Sequence, residues 1–194
     1  MAQVPFLVIV GPSGVGKGTL HKMLIDEFTD LFELSISCTT RAIRPSERHN
    51  VNYYFITNEA FEEMKAADAF LECASYVGNQ YGTPVSEISR IQAKGKVPLL
   101  EIEMCGFKKL KDKGIPLYSV FVTTSDVGEL RSRLVSRGSH KKLEMEQRLE
   151  RALEEIDEAK TSDFSITIVN ETLEESYRIL KEQVMKWYGK PSKG

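Results

Sequence analysis

Residues 11–17, Gly-Pro-Ser-Gly-Val-Gly-Lys, have the spacing of a phosphate-binding loop. They follow an apolar run at 6–10 that predicts a buried strand, and they precede a pattern typical of a helix. Glycines in such a turn let successive backbone N–H groups converge on one anion. The helix N-terminus adds partial positive charge there. Lys17 then supplies a point charge for the terminal phosphates of a nucleotide, and we expect this loop lysine to be exposed.

The position after Lys17 departs from the general loop pattern. A Ser or Thr hydroxyl usually holds Mg²⁺ there, but this chain has Gly18, followed by Thr19. We therefore expect Mg²⁺ to be held mainly through nucleotide phosphates and water, and we assign no protein side chain as a direct ligand.

A second set of cations lies further along the chain. Arg41 and Arg44 are three residues apart, and Tyr53 follows with a phenol. Guanidinium groups grip phosphate oxygens in pairs, so this set suits a second phosphate better than it suits a core. Glu72 and the run Gly-Asn-Gln-Tyr-Gly-Thr at 78–83 follow. Together with the loop at 11–17, these residues indicate a second nucleotide.

A third basic segment covers residues 131–142. It packs five Lys and Arg residues and His140 around Gly138. One interpretation is a solvated helix end followed by a loop. The other is a lid whose arginines close over a reacting phosphate group.

These motifs, in this order and spacing, resemble the guanylate kinase family over essentially the whole chain. The segments that carry the resemblance are 11–19, Ser-Cys-Thr-Thr-Arg-Ala-Ile-Arg at 37–44, Tyr-Tyr-Phe at 53–55, Phe-Leu-Glu at 70–72, 78–83, Arg-Gly at 137–138 and Val-Asn at 169–170. The resemblance implies that the γ-phosphoryl group of MgATP passes in line to GMP, giving ADP and GDP, inside a closed site lined by Arg and Lys.

The resemblance also implies roles for individual positions. The catalytic residues would be Lys17, Arg44, Arg133, Arg137 and Arg148. The ATP-binding residues would be Gly11, Ser13, Gly14, Val15, Gly16, Lys17, Gly18, Thr19, Asn170 and Glu171. The GMP-binding residues would be Ser37, Arg41, Arg44, Glu47, Tyr53, Glu72, Tyr81, Thr83, Glu101 and Glu103.

Three carboxylates differ from the usual family pattern. Glu101 and Glu103 stand where the family usually has two aspartates, and Glu171 stands where aspartate is usual. An added methylene keeps the charge but moves each carboxylate by roughly 1 Å, which matters for positioning. We expect activity to survive these changes because charge and polarity are kept.

The elements that must position these residues alternate between short apolar runs and amphipathic helices, which is typical of an α/β protein with a mainly parallel sheet. Further strands are predicted at 97–102, 118–122 and 166–169, and a helix with a solvated Glu/Arg face at about 143–160. Thr172 and Glu175 have the spacing of a capping box at the last helix. The helix after the loop should bury Leu20, Met23, Leu24 and Phe28 on one face.

With the resemblance, this pattern predicts a P-loop kinase fold, with a mainly parallel sheet flanked by helices. The chain would form a single domain of 194 residues with a core at about 1–34 and 91–194, an inserted GMP-binding lobe at about 35–90 and a lid at about 131–148.

Composition narrows the function classes. The 26 basic and 28 acidic residues give a net charge of −2, which removes the electrostatic reason to expect bulk binding to nucleic acid or anionic membrane. Three cysteines without Cys-x-x-Cys spacing favour neither a disulfide scaffold nor a zinc site. The apolar run near the start is too short to span a bilayer, and no secretory signal is visible. We expect a cytoplasmic protein, with monomer and dimer both open.

Two other functions remain as alternatives. A guanylate-kinase-like module without catalysis would bind a protein partner, but such modules typically have degraded phosphate loops, and here Lys17 and the glycines are intact. A P-loop kinase for another small acceptor is the second alternative. The combination of Ser37, Glu72 and Tyr81 favours guanine over other acceptors.

Overall fold

The computed structural model describes residues 4–136 and 142–189. The strands are β1 (Phe6–Val10), β2 (Phe32–Leu34), β3 (Cys38–Thr39), β4 (Tyr54–Phe55), β5 (Phe70–Tyr76), β6 (Asn79–Pro84), β7 (Val97–Ile102), β8 (Leu117–Thr123) and β9 (Ile166–Val169). The helices are α1 (Lys17–Glu27), α2 (Asn58–Ala66), α3 (Val85–Ala93), α4 (Met104–Asp112), α5 (Val127–Ser136), α6 (Lys142–Lys160) and α7 (Leu173–Tyr188).

The central sheet has the strand order β2-β7-β1-β8-β9, and every pairing in it is parallel. All five residues of β1 are buried because helices cover both faces of the sheet. Leu7 and Ile9 pack into the cluster that contains side chains of α1 and α7. Phe6, Val8 and Val10 pack on the opposite face with side chains of α3 and α4. The predicted α/β class with a mainly parallel sheet is confirmed.

Parallel strands bring their carboxyl ends to one edge of the sheet, and the chemistry-bearing residues lie there. β1 runs into the loop at 11–16, β7 carries Glu101 and is followed by Glu103, and β9 is followed by Asn170. Ligands in open α/β sheets bind outside the carboxyl ends of the strands. The topology therefore gathers residues that are up to about 160 positions apart in the sequence.

A second sheet, of order β4-β3-β6-β5, lies between residues 38 and 84. It combines one parallel and two antiparallel pairings. On α2, Phe61 stacks on Phe70 of β5 with ring centroids 4.5 Å apart. The edge strand β5 is covered by α4, since Lys113 Nζ donates to the Leu71 carbonyl at 2.6 Å and Lys109 Nζ donates to that of Cys73. This contact joins the second sheet to the core.

Glu87 of α3 ties the connection between the two sheets to the core. It is 3% exposed, and its carboxylate accepts hydrogen bonds from the Ile36 N–H at 3.1 Å and the Tyr54 hydroxyl at 2.8 Å. Burial acts to raise the pKa of Glu87, but hydrogen bonds from Arg90, Ile36 N–H and Tyr54 outweigh it and hold that pKa below its usual value. The ionised carboxylate thus fixes the backbone just before Ser37.

The helices depart from the sequence predictions in three places. Leu20, Leu24 and Phe28 are buried as predicted, whereas Met23 is only half-buried. The predicted capping box at Thr172 is wrong: Thr172 is the N-cap of α7, but its exposed side chain makes no capping hydrogen bond, and water can satisfy the free N–H groups. The predicted solvated face of α6 also has an exception, because Glu155 is 0% exposed.

The three cysteines are free thiols, and burial raises the pKa of Cys38 to about 11. Among the helices that the structure describes, none has the length and apolar character that crossing a membrane requires.

Candidate functional site

A cleft of about 480 Å³ opens between the phosphate loop (residues 11–17) and the second sheet; we call it the central cleft. Residues of the loop, three arginines, three tyrosines and three glutamates are among its lining. The predicted site residues among its lining are Ser13, Gly14, Gly16, Lys17, Gly18, Arg41, Arg44, Glu47, Tyr53, Tyr81, Glu101, Glu103 and Arg148. The structure therefore brings predicted donor and acceptor residues to one cavity.

Lys17 is buried within the phosphate loop, at 6% exposed, and the expectation of an exposed lysine is wrong. Its Nζ donates to the Gly11 carbonyl at 2.6 Å and to the Pro12 carbonyl at 3.1 Å, and lies 3.8 Å from Glu101. The loop surrounds the ammonium group, and two of its own carbonyl oxygens accept hydrogen bonds from it. This arrangement holds a positive charge at the centre of the loop.

Asn170 fixes the phosphate loop from the end of β9. It is 5% exposed, and its Nδ2 donates to the Val15 carbonyl at 2.6 Å. Gly16 has φ 98°, and a Cβ there would lie 2.4 Å from Asn170 Nδ2, so the close approach depends on glycine. Gly11 and Val15 are themselves buried within the loop. Asn170 thus helps to fix the conformation of the phosphate loop, whose position was predicted from the local sequence.

Replacing Asn170 with alanine should lower the free energy of unfolding by about 1–3 kcal/mol, because the buried Val15 carbonyl loses its partner. We also expect a several-fold rise in KM for ATP as the loop loosens. Chemical denaturation and steady-state kinetics measure both effects. Asn58→Ala, at the exposed start of α2, is the matched control. Unchanged stability and unchanged KM in Asn170→Ala would contradict this role.

Arg41 forms a bidentate ion pair with Glu47. Arg41 Nη2 lies 2.8 Å from Glu47 Oε1, and Nη1 lies 3.0 Å from Oε2. The Arg44 N–H also donates to Glu47 Oε2 at 3.0 Å. Both carboxylate oxygens of Glu47 are therefore committed to neighbours within the 41–47 segment, and they orient the arginine that faces the cleft.

Arg44 lies among other cations. Burial lowers the pKa of Arg44, and the positive charges of Arg41 and Arg148 lower it further. The Arg41 guanidinium lies 5.5 Å from the ring centroid of Tyr53, whose ring is 6.0 Å from that of Tyr81. Repulsion within this cluster is relieved when an anion binds, so the geometry suits a phosphate group.

A smaller pocket of about 30 Å³ adjoins the central cleft; we call it the inner pocket. It is lined by Lys17, Ser37, Tyr53, Glu72, Ala74, Tyr81, Gly82, Glu101, Ile102 and Glu103. Glu72 is 5% exposed, and its Oε1 accepts from the Thr83 N–H at 3.1 Å and from the Thr83 hydroxyl at 2.6 Å. Burial raises the pKa of Glu72. Thr83 thus lies behind the carboxylate and orients it.

The approach of Glu72 to α4 requires a glycine. A Cβ on Gly106 would lie 2.5 Å from Glu72 Oε2. Sequence reasoning missed this position, since a single glycine within a helix carries no signal of its own.

A third pocket, of about 300 Å³, shares the loop residues Gly14 and Gly16 with the central cleft; we call it the outer pocket. Its other lining residues are Thr19, Arg133, Asn170, Glu171 and Leu173. Glu171 is exposed and accepts a hydrogen bond from the Ser125 hydroxyl at 2.7 Å. Arg133 lines this pocket, while Arg44 and Arg148 line the central cleft. The predicted Arg137 lies outside the described residues, as does part of the predicted lid at 131–148.

Three residues of the central region were not predicted from sequence. His21 Nε2 lies 2.9 Å from Glu101 Oε2, and Tyr76 is a buried phenol in the cleft wall. Glu155 lies in a glutamate-rich stretch of α6, where composition indicates a solvated face. The helical spacing of Arg148, Ala152 and Glu155 is the one signal that places this carboxyl on the buried face.

Within residues 4–136 and 142–189, no group of three or more His, Cys, Asp or Glu side chains forms a site for a metal ion.

Comparison with known proteins gives consistent matches over nearly the whole chain. A family model described as guanylate kinase matches residues 3–187. The guanylate kinase of Prochlorococcus marinus subsp. pastoris is 43% identical over 177 residues, which cover 90% of this chain and 96% of the relative. That of Enterococcus faecalis is 42% identical over 160 residues, covering 82% and 78%. A crystal structure of guanylate kinase from Anaplasma phagocytophilum matches with a TM-score of 0.74 at 28% identity, covering 97% of this chain and 88% of that chain.

Proposed function

The chain belongs to the guanylate kinase family, and we propose that it transfers the γ-phosphoryl group of ATP to GMP, giving ADP and GDP. The observation that carries this proposal is the convergence of Arg41, Arg44 and Arg148 between the phosphate loop and an inner pocket with a buried carboxylate. A cationic cluster flanked by a nucleotide loop and a recess with a buried carboxylate would suit two phosphate groups held in line.

ATP would bind across the outer pocket and the phosphate loop. Loop N–H groups and the start of α1 would hold the β- and γ-phosphates, and Lys17 would turn from the carbonyls of Gly11 and Pro12 toward them. The adenine ring would lie near Asn170 and Glu171, which line the outer pocket. The other loop residues assigned to ATP, Ser13, Gly14, Val15, Gly16, Gly18 and Thr19, would contribute mainly through backbone.

GMP would bind in the central cleft with its base in the inner pocket. Arg41, Arg44 and the two phenols Tyr53 and Tyr81 would hold its phosphate. Glu47 would act through Arg41, because a carboxylate in contact with phosphate would repel it and both its oxygens already accept hydrogen bonds.

The inner pocket would select guanine. The Glu72 carboxylate would accept hydrogen bonds from N1–H and the exocyclic amine of guanine, with Ser37 close by and Thr83 holding the carboxylate in place. Adenine offers neither donor at these positions. A buried carboxylate left without them costs on the order of 1–3 kcal/mol or more, so AMP should be rejected.

Phosphoryl transfer needs positioning and positive charge rather than a covalent protein intermediate. Lys17, Arg44 and Arg148 would surround the equatorial oxygens, and Arg133 and Arg137 would close from the lid at about 131–148. Mg²⁺ would be held through the ATP phosphates and water, which fits a loop with Gly18 in place of a hydroxyl, and it would neutralise charge on the phosphates.

We propose a division into a core at about 1–34 and 91–194, a GMP lobe at about 35–90 and the lid. The second sheet falls inside the proposed GMP lobe. The three free thiols suit a reducing compartment, which supports the cytoplasm as the proposed location.

An ADP-release assay with MgATP and GMP, AMP, UMP or CMP in parallel tests the proposal. We expect turnover with GMP and at least a roughly hundredfold lower kcat/KM with the other three acceptors. Turnover with a different acceptor would indicate another small-molecule kinase. Saturable GMP binding by calorimetry without turnover would indicate a binding module.

A further inference from the structure

Glu155 is a completely buried carboxyl group beside the proposed reaction site. It is 0% exposed, and none of the described residues donates a hydrogen bond to either of its oxygens. The nearest cation on its own helix, Arg151, has its Nε 3.7 Å from Glu155 Oε1, which is too long for a hydrogen bond. Buried polar groups normally have partners, so this carboxyl group requires an explanation.

The neighbouring side chain that acts most strongly on Glu155 is the carboxyl group of Glu103, which follows β7. Glu103 Oε2 is also buried and also receives no hydrogen bond from a described donor. Two carboxylates in contact repel each other, whereas a carboxylic acid and a carboxylate share one proton in a strong hydrogen bond. A single proton between these side chains gives a partner to Glu103 Oε2 and to one oxygen of Glu155.

The surrounding charges agree with a neutral Glu155. Burial and the charge of Glu103 raise the pKa of Glu155 to about 9, while Lys17 of α1 and Arg151 of α6 act in the opposite direction. Tyr76 of β5 faces the same cluster, and burial raises its pKa, as do the charges of Glu103 and Glu155, so the phenol stays neutral. Arg148, 5% exposed, is the remaining cation near this phenol.

Glu103 connects this buried pair to the substrate side. It lines both the central cleft and the inner pocket, where Ser37 and Glu72 also lie. A flexible glutamate side chain needs a fixed partner to present its free oxygen in one direction. Glu155 is the group in contact with it that can supply one.

We propose that Glu155 is a positioning residue of the acceptor site: as a neutral carboxylic acid it donates a hydrogen bond to Glu103 and so aims the Glu103 carboxylate at the acceptor nucleotide. This inference rests on the proposed function, since it takes GMP as the acceptor. When Glu155 loses its proton, repulsion displaces Glu103 and binding of the acceptor weakens, whereas binding of ATP in the outer pocket changes little.

The test compares the unchanged protein with Glu155→Gln, Glu155→Leu and the control Glu150→Gln, an exposed position on the same helix. Glutamine keeps a donor and leucine removes it. At neutral pH we expect KM for GMP within about threefold of the unchanged protein in Glu155→Gln, and a rise of about tenfold or more in Glu155→Leu. In both variants KM for ATP should stay within about threefold.

The pH profile is the second readout, from about pH 6 to about pH 10. In the unchanged protein, KM for GMP should rise as the pH passes about 9, where Glu155 ionises. Guanine itself loses its N1 proton in alkaline solution, and Glu155→Gln, which meets the same substrate, corrects for that effect. The rise beyond this correction should be absent in the glutamine variant.

Thermal melting gives a readout that does not depend on turnover. The pKa of Glu155 in the folded protein lies above the ordinary glutamate value of 4.5, so its stabilising effect is full below that value and is lost as the pH rises through about 9. The melting temperature of the unchanged protein should therefore fall relative to that of Glu155→Gln as the pH rises over this range.

The proposal is overturned if Glu155→Gln loses as much GMP affinity as Glu155→Leu, if KM for ATP rises equally, or if the unchanged and glutamine proteins have superimposable melting and kinetic profiles. A folded Glu155→Leu protein with unchanged KM for GMP overturns it as well. If the unchanged protein shows no turnover with GMP, the proposed function fails. Calorimetry with GMP and pH-dependent melting then still decide the role of Glu155.

Discussion

Replacing Lys17 with alanine should reduce kcat by about a thousandfold, because phosphoryl transfer depends on positive charge brought to the transferring group. The structure holds the ammonium group 2.6 Å from the Gly11 carbonyl, at the centre of the phosphate loop. Water that fills the space in the variant carries no positive charge. The effect on kcat should exceed any effect on KM for GMP.

Steady-state kinetics and thermal melting of Lys17→Ala separate catalysis from folding. Since Lys17 is buried and makes two hydrogen bonds to the loop, a modest loss of stability is expected along with the loss of rate. Lys17→Met keeps the apolar stem and should melt closer to the unchanged protein with equally low kcat. Lys65→Ala, on the exposed face of α2, is the control. Near-normal kcat in a folded Lys17→Met protein would exclude the catalytic role.

The strand, the phosphate loop and the helix that follows it could be predicted because their signal is local, although the burial of Lys17 could not. The glycine spacing, the apolar strand before it and the helix after it all lie within about 20 consecutive residues. The strands at 97–102 and 166–169 were predicted with the bounds that the structure gives for β7 and β9. The apolar run of β7 is typical of a parallel strand covered on both faces, whereas β9 is an edge strand in which only Ile168 is buried.

The contacts that sequence reasoning missed join segments that are distant in the chain. Asn170 and Val15 are 155 residues apart, and only the parallel order of β1, β8 and β9 brings them together. The burial of Glu155 likewise follows from tertiary packing beside Glu103, whereas its local sequence is rich in charge. Local patterns predict which residue types are available, and the topology decides which of them meet.

The role of Glu47 shows the same limit within a single motif. Its place between two arginines and a phenol fits a phosphate site, but sequence alone does not tell whether it touches the ligand or an arginine. In the structure both Glu47 oxygens accept hydrogen bonds from the Arg41 guanidinium, and one of them also accepts from the Arg44 N–H. The carboxylate therefore orders the cations before an anion arrives, which lowers the entropic cost of binding.

Replacing Glu72 with alanine should lower kcat/KM for GMP by about a hundredfold or more while leaving KM for ATP within about threefold. The carboxylate is 5% exposed and is held at 2.6 Å by the Thr83 hydroxyl, so no water replaces it in the same geometry. Guanine N1–H and the exocyclic amine would then enter a buried pocket without an acceptor. The value of kcat/KM for AMP should rise little, because AMP still lacks the groups that fill the inner pocket.

The pH dependence of the same reaction gives a second check on Glu72. Burial raises the pKa of this carboxyl group, so it takes up a proton at a higher pH than an exposed glutamate does. Protonation removes an acceptor for guanine, and KM for GMP should therefore rise as the pH falls through that raised pKa. Glu72→Gln should lack this acidic limb, and Glu62→Gln, exposed on α2, should keep it. Equal losses of GMP and ATP affinity in Glu72→Ala would show that Glu72 does not recognise guanine. A carboxylate that binds the base affects only the acceptor, whereas one that supports the fold affects both substrates.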